Sequence, residues 1–321
     1  MESVLVTGGA GFIGSNISET LLAKGYRVVV IDDLSTGKME NILALSNSDN
    51  LKFIKGGILE SGLMRSIIKS EKISLISHQA AISSVSKSIA DPVKTMETNV
   101  GGTTNLFHIA AEYGCKRIVF ASSSSIYGDA PELPKRETMP PCPKSPYAMS
   151  KAAKEMLGSV FSSLYGIEIV GLRYFNVYGK RQDPASDYAA VIPKFIAKAL
   201  DNEPIPIEGD GGQTRDFIYI DDVVNANLTA LTGDNISGTI FNVANGEQTS
   251  ILELATKILE ITGSKSEIVF KTARIGDIRD SVGDTWKAQK HLGYSKKFDI
   301  KKGLMETVAW YRDYAGKQCV A

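Results

Sequence analysis

Tyr147 and Lys151, in the stretch SPYAMSKAAKEML, stand four residues apart and so share one face of a predicted helix. A lysine ammonium beside a phenol favours the phenolate, drawing a group whose ordinary pKa is about 10 toward neutrality. A tyrosine tuned in this way takes a proton from an alcohol while hydride leaves for a nicotinamide. The pair alone is common on protein surfaces, so its position must carry the argument. Just upstream, FASSSSIYGD (120–129) sets four hydroxyls between a strand-like run and a Tyr-Gly turn. That run is either a small-residue linker or a place where one hydroxyl is held for the same chemistry.

A nucleotide site is legible at the other end of the chain. VLVTGGAGFIGSN is a strand, then glycines, then an amphipathic helix. Gly9, Gly11 and Gly14 fit G-x-G-x-x-G, and Gly8, Gly11 and Gly14 fit the looser G-x-x-G-x-x-G. Glycines there permit a tight turn and close backbone approach to a pyrophosphate, which sits at the positive end of the helix over Phe12 and Ile13. The second strand ends in Asp32, eighteen residues past Gly14. A carboxylate there accepts hydrogen bonds from adenosine ribose hydroxyls and repels a 2′-phosphate, which favours NAD over NADP.

Elements able to position these groups follow from the periodicity. Runs at 4–8, 27–33, 51–57, 73–81, 117–123 and 167–175 read as strands, and amphipathic segments at 12–24, 61–70, 92–114 and 147–165 lie between them. Strands that are apolar on both faces and spaced by helices predict an α/β doubly wound (Rossmann) parallel sheet. Ligands of such sheets bind beyond the carboxyl ends of the strands. After about residue 177 the texture changes, with NEPIPIEGDGGQTRDFIYIDD (202–222) richer in Pro, Gly and charge, and shorter helices at about 249–262 and 300–314. The expected division is an NAD-binding domain over 1–177, to which a segment near 214–243 returns, and a smaller C-terminal substrate-binding lobe over 178–321.

Composition excludes several classes. The chain has 321 residues, with 36 Lys plus Arg against 36 Asp plus Glu, so no bulk charge draws it to nucleic acid or an anionic membrane. No apolar run approaches the roughly 20 residues of a membrane span. MESVLVTGG enters the first strand without the n-region of a signal peptide, so a cytoplasmic protein is expected. Cys115, Cys142 and Cys319, and His78, His108 and His291, are too scattered for a disulfide framework or a metal site. No metal is expected, and His78 is the histidine nearest the expected site.

With these residues in place, the chain resembles the extended short-chain dehydrogenase/reductases, specifically their NAD-dependent sugar epimerase/dehydratase group. TGGAGFIG, HQAA, SSSIYG, YAMSK, RYFNVYG, RDFIYIDDV and RIGD occur in that order along nearly the whole chain. The resemblance implies that Tyr147 is the general base and acid, with Lys151 its partner and a holder of the nicotinamide ribose. It implies that Ser123, five residues before the Gly of the IYG pattern, contacts the reacting hydroxyl and the Tyr oxygen. Asn99 would support the site from the cofactor side. Asn176, Arg215 and Arg274 would bind the sugar nucleotide's diphosphate, as guanidinium geometry suits, and Asp277 its ribose. Where the family commonly has an Asp for the adenine amino group this chain has Gly57, so backbone near Ile58 is expected to substitute. The helices at 92–114 and 147–165 resemble those of a four-helix dimer interface, which implies a homodimer.

The resemblance also bears on the reaction. Dehydratases of the group place an Asp-Glu pair after the hydroxyl residue, and here Ser124 and Ser125 stand there. That favours 4-epimerisation through a 4-keto sugar, with NAD retained and no net redox change. A gate residue four positions after Asp277 flanks the sugar in the family; a Tyr narrows the pocket, and this chain has Ser281. AAISSVSKS (80–88), which includes Ser84, resembles the lining loop of epimerases acting on N-acetylated sugars. The expected substrate pair is UDP-N-acetylglucosamine and UDP-N-acetylgalactosamine, with UDP-glucose/galactose or a UDP-uronate as the alternative. An NAD-binding sensor without turnover typically lacks the Tyr or Lys, which this chain keeps. A dehydrogenase that exchanges its NAD freely would differ by net NADH production.

Overall fold

The computed structural model describes residues 2–184, 190–273 and 278–318. Its strands are β1 (Ser3–Thr7), β2 (Arg27–Asp32), β3 (Leu51–Lys55), β4 (Leu75–His78), β5 (Arg117–Ser123), β6 (Glu168–Tyr174), β7 (Asn176–Tyr178), β8 (Ile205–Glu208), β9 (Thr214–Arg215), β10 (Phe217–Tyr219), β11 (Ile240–Val243), β12 (Thr249–Ser250) and β13 (Ile268–Lys271). Its helices are α1 (Phe12–Ala23), α2 (Met39–Leu43), α3 (Ser61–Ser70), α4 (Val85–Ala90), α5 (Pro92–Met96), α6 (Gly102–Glu112), α7 (Pro146–Tyr165), α8 (Val191–Leu200), α9 (Ile220–Thr232), α10 (Ile251–Thr262), α11 (Trp286–Leu292) and α12 (Ile300–Gln318).

Seven strands form one parallel sheet in the order β11-β6-β5-β4-β1-β2-β3. Strand side chains alternate between faces, and the burial shows it. Val4, Val6, Val28, Val30, Val119 and Val170 face α1 and α9 on one side. Leu5, Val29, Ile31, Ile76, Ile118 and Ile169 meet Met64 and Ile67 of α3, Phe107 of α6 and Phe161 of α7 on the other. Covering both faces is what makes the strands continuously apolar. The strand order reverses between β1 and β4, and the crevice at that switch point is where the fold offers a ligand site.

The rest of the chain contributes short pairings at the carboxyl edge: β7 with β10, β9 antiparallel to β12, and β8 with β13. α10 packs between α8 and α12, while β11, the strand that extends the main sheet past β6, follows α9.

One expected element differs. The segment 92–114 is not a continuous helix; α5 and α6 are joined by a π-helical turn over Glu97–Gly101. Within it lies Asn99, fully buried, whose side chain accepts from the Ile82 amide at 2.8 Å and donates to the Ile82 carbonyl at 3.0 Å. Such bulges gather at functional sites.

Candidate active site

The glycine loop joins β1 to α1 in a conformation only glycine permits. Gly8 has φ +66°, and a Cβ on Gly14 would lie 2.3 Å from the Gly8 carbonyl oxygen. Gly11 is the N-cap of α1 and supplies no side-chain cap, so the first amides of the helix, at Phe12 and Ile13, have no intrahelical acceptor. Asp32, at the end of β2, braces the loop: its carboxylate accepts from the Ala10 amide at 3.0 Å and the Leu34 amide at 2.9 Å. Burial raises its pKa, and these two bonds oppose the rise. A carboxylate has about four lone-pair sites, so each oxygen keeps capacity for a ribose hydroxyl. These residues fit NAD.

Ile58 is buried rather than displayed, its side chain seated under Gly102 of α6. At Gly57 the backbone amide donates to the Glu60 carboxylate at 2.7 Å, so this loop closes on itself where the family carries an Asp.

The side chains expected to be catalytic converge from β5 and α7. α7 begins with Ser145 accepting from the Ala148 amide and Pro146 in its first turn, and it ends at Gly166 with φ 68°. This fixes Tyr147 and Lys151 beside the end of β5. Lys151 donates to the Ala121 carbonyl at 2.8 Å, and its Nζ lies 5.5 Å from the centre of the Tyr147 ring. Burial lowers the Lys151 pKa to about 8, against the pull of Glu155. The expected depression of the Tyr147 pKa is not what the chain alone produces. Burial pushes the phenol up, and the interaction that opposes it comes from Ser123. Desolvation thus outweighs the Ser123 hydrogen bond.

Behind this pair lies a polar interior that the motifs did not announce. Lys154 is fully buried, 3.2 Å from Nε2 of His78, and burial drives both pKa values well down. His78 also bonds Thr7 at 2.7 Å and Thr103 at 2.9 Å, so its role here is to tie β1, β4 and α6 together. Asn99 reaches α7 as well, donating to the Ser150 hydroxyl at 3.0 Å. Glu155 holds Arg173 of β6 through bonds of 2.9 and 2.7 Å.

Beyond the end of β5, a cavity of about 230 Å³ is lined by Ser123, Asn176, Arg215 and Ser281 together with Ser124, Ser125, Tyr127, Lys135, Phe175 and Ile278. Four residues singled out along the sequence therefore meet in one space. Asn176 donates to the Asp216 carbonyl at 3.1 Å, and Arg215 to the Thr214 carbonyl at 2.8 Å. Ser84, expected near the sugar, is the N-cap of α4, its hydroxyl accepting from the Lys87 amide at 3.1 Å, and Ser88 of the same helix accepts from the Tyr147 amide at 3.1 Å. Arg274 and Asp277 lie outside the described residues. Tyr127, Lys135, Phe175 and Ile278 were not anticipated. Tyr127 and Phe175 sit inside quoted motifs and could have been inferred, whereas Lys135 comes from a Pro-rich loop with no motif. Among the described residues no group of His, Cys, Asp and Glu could hold a metal ion, and no helix is long and apolar enough to cross a membrane.

A parallel sheet with a glycine loop at its switch point and a Ser/Tyr/Lys set beside a polar cavity defines a nucleotide-dependent enzyme acting on a hydroxylated substrate. The chain belongs to the NAD dependent epimerase/dehydratase family, whose model matches residues 4–244, and NAD is its cofactor. It is 39% identical over 310 residues to the UDP-glucose 4-epimerase of Mycolicibacterium smegmatis, covering 96% of this chain and 98% of that one. Among solved structures, the UDP-glucose 4-epimerase of Thermotoga maritima with UDP-glucose superposes with TM-score 0.93 at 38% identity, over 98% of this chain and 99% of that chain. The UDP-N-acetylglucosamine 4-epimerase of Methanobrevibacter ruminantium, in complex with UDP-N-acetylmuramic acid, also superposes with TM-score 0.93 at 38% identity, over the same shares of the two chains. The chain groups with NAD-dependent UDP-sugar 4-epimerases, and the doubly wound fold expected from its sequence is the one observed.

Proposed function

We propose that this enzyme inverts C4 of a UDP-linked sugar, with UDP-N-acetylglucosamine and UDP-N-acetylgalactosamine as its preferred pair. The observation that carries this reading is the convergence of Ser123, Asn176, Arg215 and Ser281 on one cavity beside Tyr147 and Lys151. Bound NAD supplies a hydride acceptor and donor at C4. Tyr147 holds and returns the O4 proton, Ser123 orients that hydroxyl, and Lys151 is the cation behind the phenol. Arg215 and Asn176 suit the diphosphate. Among the described residues that line the cavity none is a carboxylate, and the presence of Ser124 and Ser125 there disfavours elimination of water and supports epimerisation.

For the sugar, the supporting feature is Ser281, a small side chain on the cavity wall that leaves room for an N-acetyl group. Assaying UDP-N-acetylglucosamine, UDP-glucose and UDP-glucuronate side by side tests the reading. Faster turnover of the N-acetylated sugar is expected, without net NADH; preference for either other sugar overturns the choice.

Assembly belongs to the same proposal. Met149, Met156, Val160 and Leu164 leave an exposed apolar stripe on α7, flanked by Ile89 of α4 and Val93 of α5, which pack on it. A stripe of this kind on two adjacent helical layers suits a second copy of the chain, closing a four-helix interface. Leu164→Glu is expected to shift the particle mass in analytical ultracentrifugation from two chains to one; an unchanged mass rejects this surface.

A further inference from the structure

Asp216 has no part in the chemistry above, yet the substrate cavity is organised around it. The residue is fully buried between β9 and β10. Its backbone carbonyl accepts both the amide of Asn176, at 3.0 Å, and that residue's side-chain nitrogen, at 3.1 Å. One carboxylate oxygen accepts from the Asn245 amide at 2.7 Å. The other accepts from the Gly246 amide at 2.9 Å and the Gly283 amide at 3.0 Å. Gly283 ends the segment that carries Ser281 and Val282, and the Val282 carbonyl in turn accepts from the Lys135 amide at 2.8 Å. Arg215 is the residue immediately before it. Asn176, Arg215, Lys135 and Ser281 all line the cavity; the first two are one hydrogen-bonded or covalent step from Asp216, and the last two are three steps away through Gly283 and Val282.

We propose that Asp216 is a positioning residue for the sugar nucleotide, its ionised carboxylate clamping two loops so that the diphosphate and sugar walls of the cavity keep their spacing. This rests on the UDP-sugar reading given above. A carboxylate is the right group, because three amide donors from two segments need an acceptor with several lone pairs and a charge. Both oxygens already face N–H groups, so an added proton would point at a donor and loosen at least one bond.

That proton is within reach of mild acid. Burial raises the Asp216 pKa to about 6 against the three amide bonds and the charge of Lys296. The surrounding charged and titratable groups are Arg215 on its own segment and Tyr294 and Lys296 from the segment before α12. Glu247, which holds Lys296, follows the Asn245–Gly246 loop, and Asp284, paired with Arg136, follows Gly283. The charged state persists above about pH 6 and is lost below it, so affinity falls as pH falls through that value.

The experiment measures UDP-glucose and UDP-N-acetylglucosamine binding by calorimetry to the NAD-loaded Tyr147→Phe protein, which cannot turn them over, with and without Asp216→Asn. These diphosphodiesters bring no titration of their own near pH 6. Asp216→Asn should weaken binding at pH 7.5 by roughly tenfold, the worth of one charge-assisted hydrogen bond. It should also abolish the acid-side loss of affinity that the parent shows. In an otherwise wild-type chain it should raise KM while kcat holds within about threefold. Equal affinity and an unchanged pH profile in Asp216→Asn overturn the proposal. Should that variant not fold, the parent decides: affinity that stays flat as pH is lowered through 6 overturns it equally. Absence of UDP-sugar binding at every pH sinks the functional reading itself, and the clamp with it.

Discussion

The two ends of this site are built in opposite ways. The end that carries the glycine loop and the proposed proton-transfer residues is made of regular elements. Its glycine loop sits between β1 and α1, Asp32 ends β2, Ser123 ends β5, and Tyr147 and Lys151 occupy successive turns of α7. The substrate end is made of loops and two-residue strands, with residues from the segments around 123–128, 135, 174–176, 215 and 278–281 meeting across a cavity. At the first end a position is set by strand register and helix pitch, so error is small and substitution costly. At the second it is set by hydrogen bonds between loops, so the wall can change shape while the chemistry stays.

The sharpest test of that contrast is the loss of one atom. Tyr147→Phe should lower epimerisation by about 10²- to 10⁴-fold, the range of general acid–base catalysis, while NAD stays bound. Substantial residual turnover measured with UDP-N-acetylglucosamine would move the base elsewhere. Next in size is Gly14→Ala. Its Cβ would meet the Gly8 oxygen at 2.3 Å and the Gly9 Cα at 2.7 Å, both backbone atoms with nowhere to go. A cost of about 1–3 kcal/mol is expected in thermal unfolding, together with NAD lost on gel filtration; a protein that keeps NAD and its melting temperature contradicts the rigid-loop account.

At the loop-built end effects should be selective. Ser281→Tyr is expected to slow turnover of the N-acetylated sugar by about ten- to a hundredfold and spare UDP-glucose, since pocket size discriminates by amounts of this order. Equal effects on both sugars would show that Ser281 is not a gate. The smallest expected effect is a pH trend. Lys151 loses its proton as pH rises through about 8, because burial lowers its pKa. Turnover should decline over the same range, and an alkaline limb that is flat past that point would mean that the Lys151 charge is not required.

This division also explains what could be read in advance. Gly8, Gly11, Gly14 and Asp32 are recognisable because a strand, a tight turn and a helix must follow one another in sequence. The same locality made Tyr147 and Lys151 a pair. Ser84 could not be assigned its cap from spacing, because capping a helix and lining a cavity draw on the same residue type, and local sequence does not say which way the chain turns. Segment 92–114 was read as continuous since its apolar period survives the π turn that contains Asn99. The upward push of burial on Tyr147 was not legible for a related reason: spacing shows that a cation is near, while burial depends on everything packed around the phenol.

What the sequence determined by itself, then, is the alternation of strands and helices, the nucleotide loop and the pairing of Tyr147 with Lys151 on one helix. Each of these arises from contacts between residues close in the chain, where periodicity and backbone preference are decisive. The tertiary structure alone decided which of the scattered polar residues share a cavity. It also decided that Lys154 and His78 lie buried side by side, and that one carboxylate, Asp216, gathers amides from two distant loops. Those arrangements depend on long-range packing and on the exclusion of water, which no local pattern encodes.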